Sequence, residues 1–241
     1  MALLEVDKLT KRFGGLVANR DISFNIEAGE IVAIIGPNGA GKSTLFNGLA
    51  GHHAPTSGSV TFDGTQLVGQ TPEAIAALGL MRTYQIPRSF ASMTVLENVM
   101  VGALLRHHAL ADARAAARQV LDTVGLSGRG DTPAGELNVA GQKRVELARA
   151  LATSPRLLLL DEVAGGLNPS EAVALAEILR SIHATGVTLV IVEHVLEVVM
   201  RLAHRVLVLD FGQLIAQGKP EEVVRNPEVI GAYLGRKYRA A

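Results

Sequence analysis

Gly36-Pro37-Asn38-Gly39-Ala40-Gly41-Lys42-Ser43-Thr44 has the clearest chemistry in this sequence. Its glycines let the main chain wrap until several N–H groups face one anion, and a helix starting at its end adds the positive end of a dipole. In that pattern Lys42 reaches the β- and γ-phosphates of a nucleotide, and the Ser43 hydroxyl binds Mg²⁺. A second pair, Asp161-Glu162, follows the leucine run 157–160. An Asp at the carboxyl end of a buried strand faces the ligand side of an open α/β sheet, where it helps hold Mg²⁺. Glu162, one residue on, is placed to polarise the water that attacks the γ-phosphate. No Asn/Thr-Lys-x-Asp segment for reading guanine occurs, so ATP is the expected nucleotide.

These residues need a scaffold that presents several strand ends together. Ile31–Ile35, Leu157–Leu160 and Val187–Val192 are apolar without alternation, as parallel strands buried on both faces are. Each precedes a polar loop and a plausible helix, such as Ser43–Leu49, which is α/β order. Leu4–Leu9, Ile22–Ile26 and Val60–Phe62 look like strands joined by turns such as Glu27-Ala28-Gly29 and Asp63-Gly64; they predict an antiparallel layer beside the parallel core. Helix starts are marked at Thr94-Val95-Leu96-Glu97, a capping box, and at Asn168-Pro169-Ser170-Glu171. From about Thr94 to Ala152 the chain is Ala- and Leu-rich without a strand signal. Ala113, Ala117, Val120, Leu121 and Val124 recur there at helical spacing, and Gly125 ends the run. The expected fold is α/β: a RecA-like P-loop core with an antiparallel β layer and an inserted helical subdomain. It is one domain over 1–241, with 1–88 and 153–241 as core and 89–152 as the helical part.

Composition narrows the class. Of 241 residues, 48% are apolar, and 23 Lys+Arg balance 23 Asp+Glu, so bulk charge points to neither nucleic acid nor an anionic membrane surface. The absence of Cys removes disulfides, thiolate catalysis and cysteine-ligated zinc. No apolar run reaches the roughly 18–20 residues that span a bilayer. The start has no basic segment or cleavage site of a secretory signal. A cytoplasmic protein is expected, joined to a membrane only through a partner.

With these motifs in order, the chain resembles the ATP-binding subunits of ABC transporters along nearly its whole length. The resemblance implies further roles. Gln85, in Arg82-Thr83-Tyr84-Gln85, falls at the Q-loop glutamine, which touches Mg²⁺ and the attacking water and faces the membrane partner. His194, after Ile191-Val192-Glu193, falls at the switch histidine that contacts the γ-phosphate. Gly166-Leu167-Asn168 matches the D-loop, and Phe13 falls where an aromatic ring stacks on adenine. The permease contact is expected at Ile86 to Phe90 and the start of the helical part.

The signature segment departs from the family. Where Leu-Ser-Gly-Gly-Gln is usual, the ungapped alignment gives Leu137-Asn138-Val139-Ala140-Gly141. In the family this segment binds the γ-phosphate held by the opposite subunit's P-loop. Asn138 can still donate through its amide. Ala140 adds a methyl group where main chain approaches phosphate, and it lacks the freedom of Gly at positive φ. Val163 and Val195 also replace a frequent Pro and a frequent Asp. A partner ATPase with an intact signature would then make two unequal ATP sites.

Phe13-Gly14-Gly15-Leu16, Met93 to Val99, Gly166 to Pro169 and the tail from Asp210 to Gly235 are similar to ATPases of bacterial branched-chain amino-acid importers. That likeness implies a second ATPase subunit, transmembrane permeases, indirectly a periplasmic binding protein, and a peripheral place on the cytoplasmic face of the inner membrane. Urea, amide and lipopolysaccharide systems share features of this subfamily and stand as alternatives. So do a soluble P-loop motor on nucleic acid or protein and a regulatory protein that binds ATP without turnover; no nucleic-acid partner is expected.

Overall fold

The structure, a computed structural model, describes residues 2–83 and 89–234. Gln85 lies outside the described residues, as do Ile86, Pro87 and Arg88 of the expected permease contact. In chain order the strands are β1 (Ala2–Phe13), β2 (Leu16–Glu27), β3 (Ile31–Ile35), β4 (Ser57–Phe62), β5 (Thr65–Gln66), β6 (Leu80–Arg82), β7 (Leu157–Asp161), β8 (Thr188–Val192), β9 (Arg205–Asp210) and β10 (Gln213–Gly218). The α-helices are α1 (Lys42–Leu49), α2 (Pro72–Leu78), α3 (Val95–Ala103), α4 (Leu110–Thr123), α5 (Val139–Leu151), α6 (Pro169–Ala184), α7 (Leu196–Leu202), α8 (Pro220–Val223) and α9 (Pro227–Leu234).

The strands form two sheets. An antiparallel sheet of four runs β2-β1-β4-β5, and a sheet of six runs β10-β9-β3-β8-β7-β6. Within the second, β9, β3, β8, β7 and β6 are parallel and β10 is antiparallel at the edge. This is the α/β P-loop architecture anticipated from the alternating pattern. The β1–β2 hairpin turns at Gly14-Gly15, and the turn after Glu27 instead leads out of the antiparallel sheet into β3. β1 runs four residues past Leu9, because register shifts at Val6/Leu9 and beyond break the period of two without ending the pairing.

Three apolar clusters explain the apolar runs, the smallest holding Ala33 and Ile35 against Val199, Val206 and Val208. One face of the six-stranded sheet, with Val32, Ile34, Val190 and Val192, packs with Leu4, Ile22, Ile26, Phe46 and Phe62. The other face, with Leu158, Leu160, Leu189 and Ile191, packs with apolar residues of α3 to α6. Both faces of these strands are covered, so alternation is absent. Each such side chain contributes about 1.5–3 kcal/mol on burial. The capping boxes hold α3 and α6: Thr94 and Glu97 bond reciprocally at 2.8 and 3.1 Å, Asn168 and Glu171 at 2.9 and 3.0 Å. α4 buries Ala113, Ala117 and Leu121 and stops before Gly125 at φ 70°.

The consequence for chemistry is a row of neighbouring strand ends. β3, β8, β7 and β6 lie side by side and parallel, so the residues after each emerge on one edge. Open α/β sheets bind ligands at that edge.

Candidate functional site

The phosphate loop leaves β3 and enters α1, and its glycines are fixed by neighbours as much as by any ligand. A Cβ on Gly36 would lie 2.1 Å from the Leu209 carbonyl oxygen, and one on Gly41, at φ 98°, 2.4 Å from that of Ala18. No other residue fits there without moving β9 or β2. Buried Asn19 donates from Nδ2 to the Gly41 carbonyl at 3.1 Å, and the Gly212 amide donates to that of Ala40 at 3.0 Å. Nothing in the sequence around Asn19 or Gly212 marks them as supports of a loop distant in the chain.

Lys42 turns back onto its own loop. Its ammonium donates to the carbonyls of Gly36 at 2.7 Å and Pro37 at 3.0 Å. Burial pulls its pKa below the usual lysine value, against the upward pull of Glu162 and Asp161. A polyanion in the loop would add a stronger partner for the same charge. The cleft here has a volume of about 390 Å³; Asn38, Gly39, Ala40, Gly41, Lys42, Ser43 and Thr44 line it together with Glu162.

Leu16, Val17 and Ala18 of β2 and the Phe211-Gly212 turn form the rest of that lining. Phe13 is not part of it. It stands 48% exposed at the end of β1, edge-on to His53 with ring centres 5.6 Å apart and with Lys11 5.0 Å from its ring. Phe13 pairs across the hairpin with Leu16, which puts it one residue pair from the cleft. Phe211, at φ 43° on the β9–β10 turn, is the aromatic residue on the wall itself. It was invisible as a site residue because an apolar side chain before Gly reads as an ordinary turn.

Asp161 and Glu162 leave β7 beside Val192, and Glu193 and His194 leave β8. Glu162 has φ 48°, a left-handed conformation that strains a non-glycine residue by about 1–3 kcal/mol. Its main chain is held by neighbours: its amide donates to Val192 at 2.9 Å, and its carbonyl accepts from Gly165 at 3.0 Å and from the Lys143 ammonium at 3.0 Å. Glu193 is 1% exposed and accepts from the Ala164 amide at 2.7 Å. Burial raises its pKa above the ordinary 4.5. His194 is exposed, and its Cε1 lies 3.8 Å from where a Cβ on Gly165 would stand. The loop after Glu162 thus runs directly beneath His194.

A Ser43 hydroxyl and an Asp161 carboxylate are hard oxygen donors of the kind Mg²⁺ takes alongside phosphate oxygens and water, so the residues fit that ion. Asp161 has a partner already. Arg82, at the end of β6, donates from Nη2 to Asp161 Oδ2 at 2.7 Å and from Nη1 to Asn47 Oδ1 at 2.5 Å. Both side chains of the ion pair are under one-tenth exposed, at 8% and 6%. Arg82 therefore joins three neighbours: the acidic strand end, α1 behind the phosphate loop, and the segment leading to Gln85.

The signature segment lies apart. Asn138, Val139, Ala140 and Gly141 form the start of α5, and Asn138 is its N-cap, accepting from the Gly141 amide at 2.9 Å. With Oδ1 so used, the Asn138 amide hydrogens are what it can offer a phosphate. Ala140 is the second helical residue, so the position calls for no positive φ, and that objection to Ala falls away; there Ala is the better helix former. The added methyl group remains. A Cβ on Gly141 would stand 2.9 Å from that of Leu137, which explains its glycine. Asn138, Ala140 and Gly141 line a cleft of about 450 Å³ that shares no residue with the Lys42 cleft.

Comparison with known proteins gives a consistent result. The model of the family described as ABC transporter matches residues 19–165, and that of the branched-chain amino acid ATP-binding cassette transporter matches 213–239. The high-affinity branched-chain amino acid transport ATP-binding protein LivG of Salmonella typhimurium is 40% identical, over 97% of this chain and 98% of its own. BraF of Pseudomonas aeruginosa, of the same description, is also 40% identical, over 97% and 98%. A solved ATP-binding cassette of an ABC transporter in its ADP conformation superposes with a TM-score of 0.89 at 31% identity, covering 98% of this chain and 99% of that one. A dimeric bacterial ABC transporter cassette superposes with a TM-score of 0.82 at 25% identity, covering 90% and 98%.

Proposed function

This chain belongs to the ABC transporter family of ATP-binding cassettes, and from that premise we propose that it powers import of branched-chain or related amino acids. The observation that carries the enzymatic part is one cleft lined by both Lys42 and Glu162, at the row of parallel strand ends. The substrate assignment is supported by the LivG and BraF likeness and by the match at residues 213–239.

ATP sits with its phosphates against the amides of Gly39 to Thr44 and its base toward Leu16, Val17 and the aromatic residues at the rim. Lys42 exchanges its two carbonyl partners for phosphate oxygens and neutralises charge that spreads over the γ-phosphoryl in the transition state. Ser43 and Asp161 would hold Mg²⁺, which would supply further neutralisation there, and the family resemblance adds Gln85 to that set. Glu162 orients a water on the γ-phosphorus and takes its proton as the P–O bond to ADP breaks; His194 contacts the same phosphoryl from β8.

The second half of each site comes from elsewhere. The two clefts share no residue, so the signature segment serves an ATP held by a second ATPase subunit, in keeping with the dimeric cassette. Closing the two subunits excludes water and brings the signature amides to the γ-phosphate. The membrane contact is a groove of about 370 Å³ with Met81, Val101, Leu105 and Arg149 on its wall, beside the segment that leads to Gln85. Among the described residues no helix is long and apolar enough to cross a membrane, so permease subunits must supply the path. A periplasmic binding protein delivers solute from the far side, and this chain works at the cytoplasmic face.

Replacing Glu162 by Gln tests the reading. Turnover should fall roughly 10²–10⁴-fold, the usual contribution of a general base, while ATP binding persists and an ATP-bound dimer accumulates. An unchanged ATPase rate would remove Glu162 from the reaction.

A further inference from the structure

The strained main chain of Glu162 is gripped from a helix that begins with the signature segment. Lys143 lies in α5, five residues after the Asn138 cap, and its ammonium reaches the Glu162 carbonyl at 3.0 Å. This bond reaches the Glu162 main chain from outside β8 and its own loop. From the other side, buried Glu193 holds the Ala164 amide at 2.7 Å. Lys143 and His194 flank the same glycine: a Cβ on Gly165 would be 3.9 Å from the Lys143 nitrogen and 3.8 Å from His194 Cε1.

A lysine serving only to balance charge could be satisfied by carboxylates, and Glu193, Glu146 and Glu162 all draw on this one. Its hydrogen bond goes to a main-chain oxygen instead, at a residue with φ 48°. Fixing that carbonyl fixes the peptide plane from which the Glu162 carboxylate departs. A left-handed residue released from such a hold relaxes toward ordinary φ and swings its side chain away.

We infer that Lys143 is a positioning residue for Glu162, tying the water-activating carboxylate of one ATP site to the signature helix that serves the other. The inference rests on the roles given above to Glu162 and to the signature segment. Movement of α5 as Asn138 meets the partner's ATP is carried along the helix to Lys143 and so to Glu162 of the same chain. The two sites of a dimer are then linked through each subunit as well as across their interface.

The test uses the intact transporter purified through a tag on this chain, with ATPase kinetics, binding of a fluorescent ATP analogue and a thermal melt. Lys143→Met keeps the aliphatic stem and removes the donor; Lys143→Arg keeps a cationic donor. Lys143→Met should lower kcat roughly ten- to a hundred-fold, the scale of a misplaced group, with KM and analogue binding within about two-fold of wild type. Lys143→Arg should recover most of the rate. Added to Glu162→Gln, Lys143→Met should cause no further loss, because it acts through Glu162. Wild-type kcat in Lys143→Met, or a fall in kcat matched by weaker binding and a lower melt that Arg does not rescue, overturns the inference. The Glu162→Gln arm separates the two claims: if it turns over normally the functional reading fails, and if it is inactive while Lys143→Met is normal only the inference fails.

Discussion

Lys42 sits in a loop pinned by Asn19, by Gly212 and by its own ammonium on two carbonyls; Asn138 stands exposed at the head of a helix, with its side-chain oxygen committed to that helix. The first half-site is assembled from six strands, β2, β3, β6, β7, β8 and β9, and the turns after them. The second is four residues on one helix end, and in the proposed reading it serves a partner's ATP. The phosphate loop keeps its geometry through contacts within its own chain, whereas a helix end offers little beyond its backbone amides and side chains. The signature segment departs from the family's usual residues where the proposed contact is intermolecular, and Val163 and Val195 depart from them beside the first half-site as well.

The sharpest way to break this contrast is to loosen the rigid half. Arg82→Met leaves the Asp161 carboxylate buried with its cation removed, and uncoupling a buried pair in that way destabilises by about 3–5 kcal/mol. In a domain of this size each kcal/mol moves Tm by about 2–4 °C, so a fall on the order of 10 °C is expected in a thermal melt. Mg²⁺ should restore part of that fall by replacing the lost positive charge, an effect read by melting with and without the ion. A wild-type Tm would show that the ion pair does not support the site.

The complementary change strengthens the weak half. Asn138→Ser with Ala140→Gly restores two usual signature residues and keeps a capping side chain at the head of α5. If the altered signature limits closure over a second ATP, ATPase of the purified chain should rise severalfold and depend more steeply on protein concentration. The glycine costs up to about 1 kcal/mol in helix stability, so Tm should fall slightly while activity rises. High, concentration-dependent activity in the unaltered chain would instead refute unequal sites.

The same contrast explains what was legible beforehand. The phosphate loop, Asp161-Glu162 and the capping boxes are local patterns, each readable within a few residues of sequence. β9 carries an apolar run, Val206 to Leu209, but no chemical motif stands at its end to mark it, and β6 is too short to show a period. Asn19, Arg82, Lys143 and Glu193 act on partners between 19 and 79 residues away, and no local pattern announces such a contact. Phe13 illustrates the converse: the motif places it near the base, yet only the hairpin geometry shows Leu16 and Phe211 on the wall. The helical setting of Ala140 was likewise hidden, since the sequence marked a helix only from Arg144.

The smallest expected effect concerns the brace beneath His194. Glu193 is buried, and desolvation lifts its folded pKa above the ordinary 4.5 of an unfolded chain. The folded state therefore holds this proton more tightly, so Glu193 favours folding below about pH 4.5 and that contribution is lost as pH rises through the folded pKa. Glu193→Gln keeps an acceptor for the Ala164 amide and removes the titration. At neutral pH the variant should melt higher than wild type, and the difference should shrink on acidification toward pH 4.5. A lower Tm at neutral pH would mean that the carboxylate charge is needed there, balancing Lys143, and that the Glu162 loop is held by an ion pair as well as by main-chain hydrogen bonds.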